Sequence, residues 1–220
     1  MIAPQFATHR IGSPSASHTI ELFLDLVCPF SKKQLTGVRK TLIPLIENNE
    51  EVRKNLSIVI AQIPQPWHAS STLVHEAALG VSKTLVDQGK SYSDQDVVEQ
   101  WQKYFFELMD KQEEYFDEPT ADEAPSATRD RLAYLAYKTI GIDRKAFLEN
   151  ISTGKGNSGS AVTDLLKQHV KYHRFRGVHV TPTVFLDGLP EGSVSSGFTE
   201  EDWKQFLKEK ILPEGSKALL

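Results

Sequence analysis

The segment from His18 to Val27, HTIELFLDLV, constrains this chain more than any other. In an extended strand Ile20, Leu22, Leu24 and Leu26 alternate onto one face, and Glu21, Phe23, Asp25 and Val27 take the other. Both faces are mostly apolar, which predicts a central strand covered on each side. A second apolar run, LSIVIAQIP from Leu56, is β-branched and is ended by PQPW. Between the two runs Leu35, Val38, Leu42 and Leu45 recur at helical spacing, and Pro44 either kinks that helix or closes it. Strand, helix, strand predicts a βαβ unit with a parallel pair.

From Ser71 to about Arg176 the periodicity turns helical. Val74, Ala77, Ala78, Val81 and Leu85 form one stripe, and Val97, Val98, Trp101, Tyr104, Phe105 and Leu108 form another. The acidic, proline-containing DEPTADEAP reads as a loop. Leu132, Leu135 and Ala136 open a further helix, GIDRKAFLENI gives a short one, and Val162 to Phe175 give the last, with Gly177 as its stop. Strand character returns in GVHVTPTVFLDG, where Asp187-Gly188 is a hairpin turn and EGSVSSG is the candidate paired strand. Thr199 can cap a final amphipathic helix with Trp203, Phe206 and Leu207 on one side. The expected organisation is a flexible segment over residues 1–17, a sheet domain over 18–70 and 177–212, an inserted helical subdomain over 71–176, and a tail over 213–220.

Composition narrows the partners. The 220 residues are 40% hydrophobic and 25% charged with a formal net charge of -4, an ordinary globular profile. Mild acidity gives nucleic acid and anionic membranes no support as partners, and the basic KYHRFR is too short to change that. No apolar run approaches a bilayer span. The N-terminus has no charged region followed by an apolar core, so no signal peptide is expected and the cytoplasm is the default compartment. The N-x-S sequons at Asn55 and Asn150 carry no meaning without secretion.

The single cysteine, Cys28, falls where the first strand gives way to a helix, and it can make no intrachain disulfide. With Cys28 at the N-cap and Pro29 at the first helical position, the helix's free N–H groups point at the sulfur and favour the thiolate. The thiolate is the reactive form. The alternative is a small buried hydrophobe at a helix start, which cysteine often is.

The element order and two motifs, DLVCPFS and VTPTVFLDG, resemble the thioredoxin fold, and the helical insertion resembles its DsbA-like branch. The resemblance covers roughly residues 18–211. It implies an active-site position at Cys28, flanked by Pro29 and Phe30. Ser31 stands where dithiol members carry the resolving cysteine; its hydroxyl either supports the thiolate or bonds the helix backbone. A two-cysteine cycle within the chain is excluded by count. Monothiol chemistry is left: Cys28 exchanges with a mixed disulfide, and an external thiol releases it. Pro182 matches the family's cis proline, and Thr181 the residue whose backbone pairs with an extended peptide or glutathione. From the residues alone Pro182 is equally a trans proline opening an edge strand.

Departures from the pattern matter. The buried acid common six residues before the first cysteine is Leu22 here, and Asp25 lies three residues before Cys28 instead. Asp25 at that spacing resembles the kappa-class glutathione transferases and chromene-carboxylate isomerases, whose motif is D-x-x-S-P-x-S. It is read as structural or as a proton acceptor. His68, in PQPWH beside Trp67, is read as rim of the thiol site or as an ordinary loop residue, and His179 similarly. GKGNSG follows a helix rather than a strand, so it reads as a loop and not a dinucleotide site. His169 and His173 are spaced for zinc but lack the companion ligands, and read as a solvated face. The expected function is a monothiol thiol–disulfide oxidoreductase with no tightly bound cofactor, using glutathione or a peptide thiol. The alternatives are a non-enzymatic binding module of this fold and a kappa-type transferase or isomerase.

Overall fold

The structure, a computed structural model, describes residues 3–219; residues 1, 2 and 220, at the ends of the expected N-terminal segment and tail, lie outside the described residues. Five strands occur among them: β1 (Arg10–Ile11), β2 (His18–Leu24), β3 (Leu56–Gln62), β4 (Thr183–Leu186) and β5 (Leu189–Pro190). The helices are α1 (Pro29–Lys40), α2 (Leu42–Asn48), α3 (Glu50–Asn55), α4 (Ser71–Asp87), α5 (Gln95–Asp110), α6 (Asp117–Thr120), α7 (Pro125–Ile140), α8 (Arg144–Ile151), α9 (Thr163–Phe175) and α10 (Glu200–Lys210). Among the described residues no helix is long and apolar enough to cross a membrane. The chain divides into two compact units: a sheet unit of residues 10–24, 29–61 and 180–220, and a helical unit of residues 1–9, 25–28 and 62–179.

In the sheet unit the strands lie in the order β1-β3-β2-β4-β5. β2 is the middle strand, and Ile20 to Leu24 are all buried, as its two apolar faces require. β4 runs antiparallel to β2 with Ile20 opposite Leu186 and Phe23 opposite Thr183. This register sets Phe23 diagonally across from Phe185, and their ring centroids are 5.1 Å apart. Pro44 neither kinks nor closes α1. Helix α1 ends at Lys40, and Pro44 is the third residue of α2, where its missing N–H has no helical acceptor to serve. Gly37 lets α10 approach α1, because a Cβ there would stand 3.1 Å from Trp203 Nε1.

The hairpin partner of β4 is Leu189–Pro190, not EGSVSSG. Asp187 and Gly188 both have positive φ, at 49° and 85°, so the loop has two residues and pairing must resume at Leu189. Asp187 also pins the turn, accepting from Thr19 N–H at 2.8 Å and meeting His18 Nδ1 at 2.7 Å. A capping box starts α10: Thr199 Oγ1 accepts from Asp202 N–H, and Asp202 accepts from Thr199 N–H.

In the helical unit α4 buries Val74, Ala77, Ala78, Val81 and Leu85, and α5 buries Val97, Trp101, Tyr104, Phe105 and Leu108. Tyr104 OH donates to Leu132 O at 2.9 Å, linking α5 to α7. Gly80 is the close-approach point of α4, where an added Cβ would meet Ile151 Cγ2 at 2.6 Å. Part of the expected DEPTADEAP loop is the single helical turn α6. GKGNSG does form the connection between α8 and α9, turned by Gly156 and Gly159 at φ 63° and 74°.

Two expectations fail here. Residues 1–17 read as flexible, yet Pro4–His9 form a 3-10 helix with Thr8 and His9 buried, and Arg10–Ile11 form β1. The Phe6 ring lies 4.3 Å from that of His169, and His9 lies 4.0 Å from Trp101. Those partners are distant in sequence, so local composition conceals them. His169 is buried rather than solvated, and its Nδ1 accepts from Gln62 N–H at 3.3 Å.

Candidate functional site

The helical unit contains the turn Asp25–Cys28, and every interior amide of that turn has a partner. Leu26 N–H donates to His75 Nε2 at 3.2 Å, Val27 N–H to Asp25 Oδ1 at 3.1 Å, and Cys28 N–H to Asp25 O at 3.1 Å. Gln112 Nε2 donates to Leu26 O at 3.0 Å and to Cys28 O at 3.3 Å. Cys28, the one cysteine of the chain, is 5% exposed and directly precedes the first residue of α1.

Asp25 is fully buried. Its Oδ2 accepts from His68 Nδ1 at 2.6 Å, its Oδ1 accepts from Ser71 Oγ at 2.7 Å, and His75 Nε2 stands 3.3 Å from the same Oδ1. Burial opposes ionisation, but His75, His68 and Ser71 outweigh it, and the carboxyl titrates below its ordinary value. Ser71 and His75 reach Asp25 together because residues four apart share a helix face. The line continues inward. His75 Nδ1 donates to Gln62 Oε1 at 2.7 Å, and Gln62 Nε2 donates to His9 Nε2 at 3.1 Å. Burial holds His9 well below the usual histidine value and pushes His169 down to about 3, aided by neighbouring histidines.

The expected site residues therefore fall in two places. Asp25, Cys28 and His68 come together in the helical unit, joined through Asp25. Pro29, Phe30 and Ser31, the first three residues of α1, belong to the sheet unit with Thr181 and Pro182. Phe30 is 63% exposed and Ser31 is buried. The Thr181–Pro182 peptide bond is cis. His179 belongs to the helical unit, where its carbonyl accepts from Gln65 Nε2 at 3.3 Å.

Sequence reasoning missed Ser71, His75, Gln62 and Gln112. The polar pair Ser71 and His75, four residues apart beside an apolar stripe, was the available signal. Gln112 offered none. Among the described residues no cluster of metal-ligating side chains occurs.

No family model and no curated protein matches the chain. Solved structures do. A Pseudomonas syringae protein assigned as a protein-disulfide isomerase is 22% identical with a TM-score of 0.64, over 89% of this chain and 95% of its own. Oxidised BdbD from Bacillus subtilis is 14% identical with a TM-score of 0.64, over 92% of each chain. Chlamydia trachomatis DsbA is 18% identical with a TM-score of 0.57, over 91% of this chain and 88% of its own. At these identities the likeness shows the fold: a mixed α/β, thioredoxin-type sheet with a helical insertion, as in DsbA-like proteins.

Proposed function

We propose that this protein is a monothiol thiol–disulfide oxidoreductase in which Cys28 exchanges with glutathione disulfides. The observation that carries the reading is a lone cysteine at the start of α1, on a turn whose Leu26, Val27 and Cys28 amides are hydrogen-bonded. The likeness to structures named protein-disulfide isomerase and DsbA supports it. The Cys28 thiolate attacks one sulfur of a disulfide. A new S–S bond forms, the old one breaks, and its electron pair leaves on the departing thiolate. A second glutathione thiolate then attacks the mixed disulfide, releasing Cys28 and glutathione disulfide. Ser31 cannot perform that second step. Thr181 and Pro182 are proposed to hold the substrate backbone.

The burial of Cys28, 5% exposed, favours a second reading in which the fold serves as a non-enzymatic binding module. One experiment separates them. Reduced protein is mixed with oxidised glutathione and followed by intact-mass spectrometry. The oxidoreductase gains one glutathione, which dithiothreitol removes and Cys28→Ser abolishes. No adduct on the wild type rejects it.

A further inference from the structure

We propose that the concave surface between α5, α7 and the start of α8 docks an acidic peptide in extended conformation, its carboxylates toward Lys103 and Lys138 and its apolar side chains against Tyr134 and Tyr137. Every residue involved belongs to the helical unit and none to the Cys28 turn, so this docking does not depend on thiol chemistry.

Two grooves make up the surface, of about 700 Å³ and about 530 Å³, and they share Tyr134 and Arg144. Both volumes lie in the size range of ligand sites, roughly 300–1,000 Å³. To the larger groove α5 supplies Lys103 and Glu107, and α7 supplies Arg131, Tyr134 and Lys138. Five basic side chains line it against three acidic ones, in a chain whose net charge is -4. Some of these charges are already matched. Arg144 is taken by Asp130, Arg131 by Glu123, and Lys111 by Glu107 and Glu114. Among the described residues Lys103, Lys138 and, in the smaller groove, Lys145 have no ion-pair partner. An acidic side chain brings the charge that complements them.

The aromatic residues are positioned for contact. The Arg144 guanidinium stands 5.7 Å from the Tyr134 ring centroid, and both Asp130 carboxylate oxygens accept from it at 2.6 Å. That pair is fixed before a ligand arrives. Tyr134 and Tyr137 are each 51% exposed, and residues three apart share a helix face. Such rings give contact area at little cost in side-chain entropy. Tyr115 lines the same groove, 1% exposed, with Arg131 4.9 Å from its ring centroid. Burial pushes its phenol up to about 12, so it stays a neutral donor.

The mixture of signs selects a peptide over a nucleic-acid strand. A phosphate backbone carries a charge at every nucleotide and gains affinity from uninterrupted cations, whereas Glu107, Glu114 and Asp130 interrupt these. A peptide backbone has N–H groups that such carboxylates accept, while its acidic side chains meet the lysines. From Lys103 to Lys111 helix α5 rises about 12 Å, which an extended chain covers in about four residues.

The test is fluorescence anisotropy of fluorescein-labelled acetyl-Glu-Asp-Phe-Asp-Glu, titrated with the full chain. Saturable binding is expected, and it should be lost as sodium chloride rises from about 50 to about 500 mM, as contacts between exposed charges are. The same peptide with lysine at its four acidic positions should not bind. Lys103→Ser with Lys138→Ser should weaken binding about tenfold, and Tyr134→Ala about fivefold. These side chains are exposed, so the urea midpoints of the variants should match the wild type. No saturable binding, or equal binding by the double-lysine variant, overturns the proposal. If a thymidine pentanucleotide displaces the peptide at a lower concentration than unlabelled peptide does, the groove is a nucleic-acid site and the assignment to a peptide falls.

Discussion

Acid should weaken this protein through buried histidines that fold neutral, His9 and His169 foremost. Burial, then the charges of His75 and His173, push His169 from 6.5 to about 3, and burial holds His9 well below its ordinary value. In both, the folded value lies below the unfolded one, so the unfolded chain takes the proton first as pH falls. The stabilisation is full above about pH 6.5 and drains as pH falls toward the folded values. Each such histidine gives a slope of about 1.4 kcal/mol per pH unit, and the whole range for His169 amounts to about 5 kcal/mol. That is comparable with the entire stability of many domains, roughly 5–15 kcal/mol. Asp25 does not confuse the reading. Its folded carboxyl titrates below 3.8, so its stabilisation is present above that value and is lost only as pH falls below it. The assay is urea unfolding by far-UV circular dichroism at several pH values between about 6 and about 4, the window between carboxylates and free histidine. His169→Gln keeps an acceptor for Gln62 N–H but does not titrate, and its slope against pH should fall by about 1.4 kcal/mol per pH unit. A wild-type stability flat across that window, or an unchanged slope in His169→Gln, would refute the reasoning.

Gly80→Ala should destabilise by about 1–3 kcal/mol despite alanine's better helix propensity, because the new Cβ would stand 2.6 Å from the buried Ile151 Cγ2. A urea midpoint equal to or above the wild type would contradict that packing. Gln112→Leu removes the donor to Leu26 O and Cys28 O, at a cost of about 1–3 kcal/mol. Partial relief comes from deleting Gln112 Oε1, which is buried with no hydrogen-bond partner among the described residues. The same change should speed Cys28 alkylation by loosening the turn, and an unchanged rate would show that Gln112 does not hold it.

What the sequence determined by itself is the local part of this protein. Alternation placed β2 in the middle of the sheet, because a strand apolar on both faces is stable only when both are covered. Helical spacing marked the buried faces of α4 and α5, and Asp187-Gly188 marked the hairpin turn. Cys28 before Pro29 announced a cysteine at a helix start. Each is written in neighbouring residues, where period and backbone preference act. Tertiary structure alone decided the surroundings of Asp25. Ser71, His75 and Gln112 converge on the Cys28 turn across separations of 46 to 86 residues in the chain, with Gln62 behind His75, a meeting that no local pattern encodes. It also drew His9, from a segment read as flexible, and His169, read as solvated, into a buried polar line, because a buried amide must find a partner and the nearest was far away in sequence.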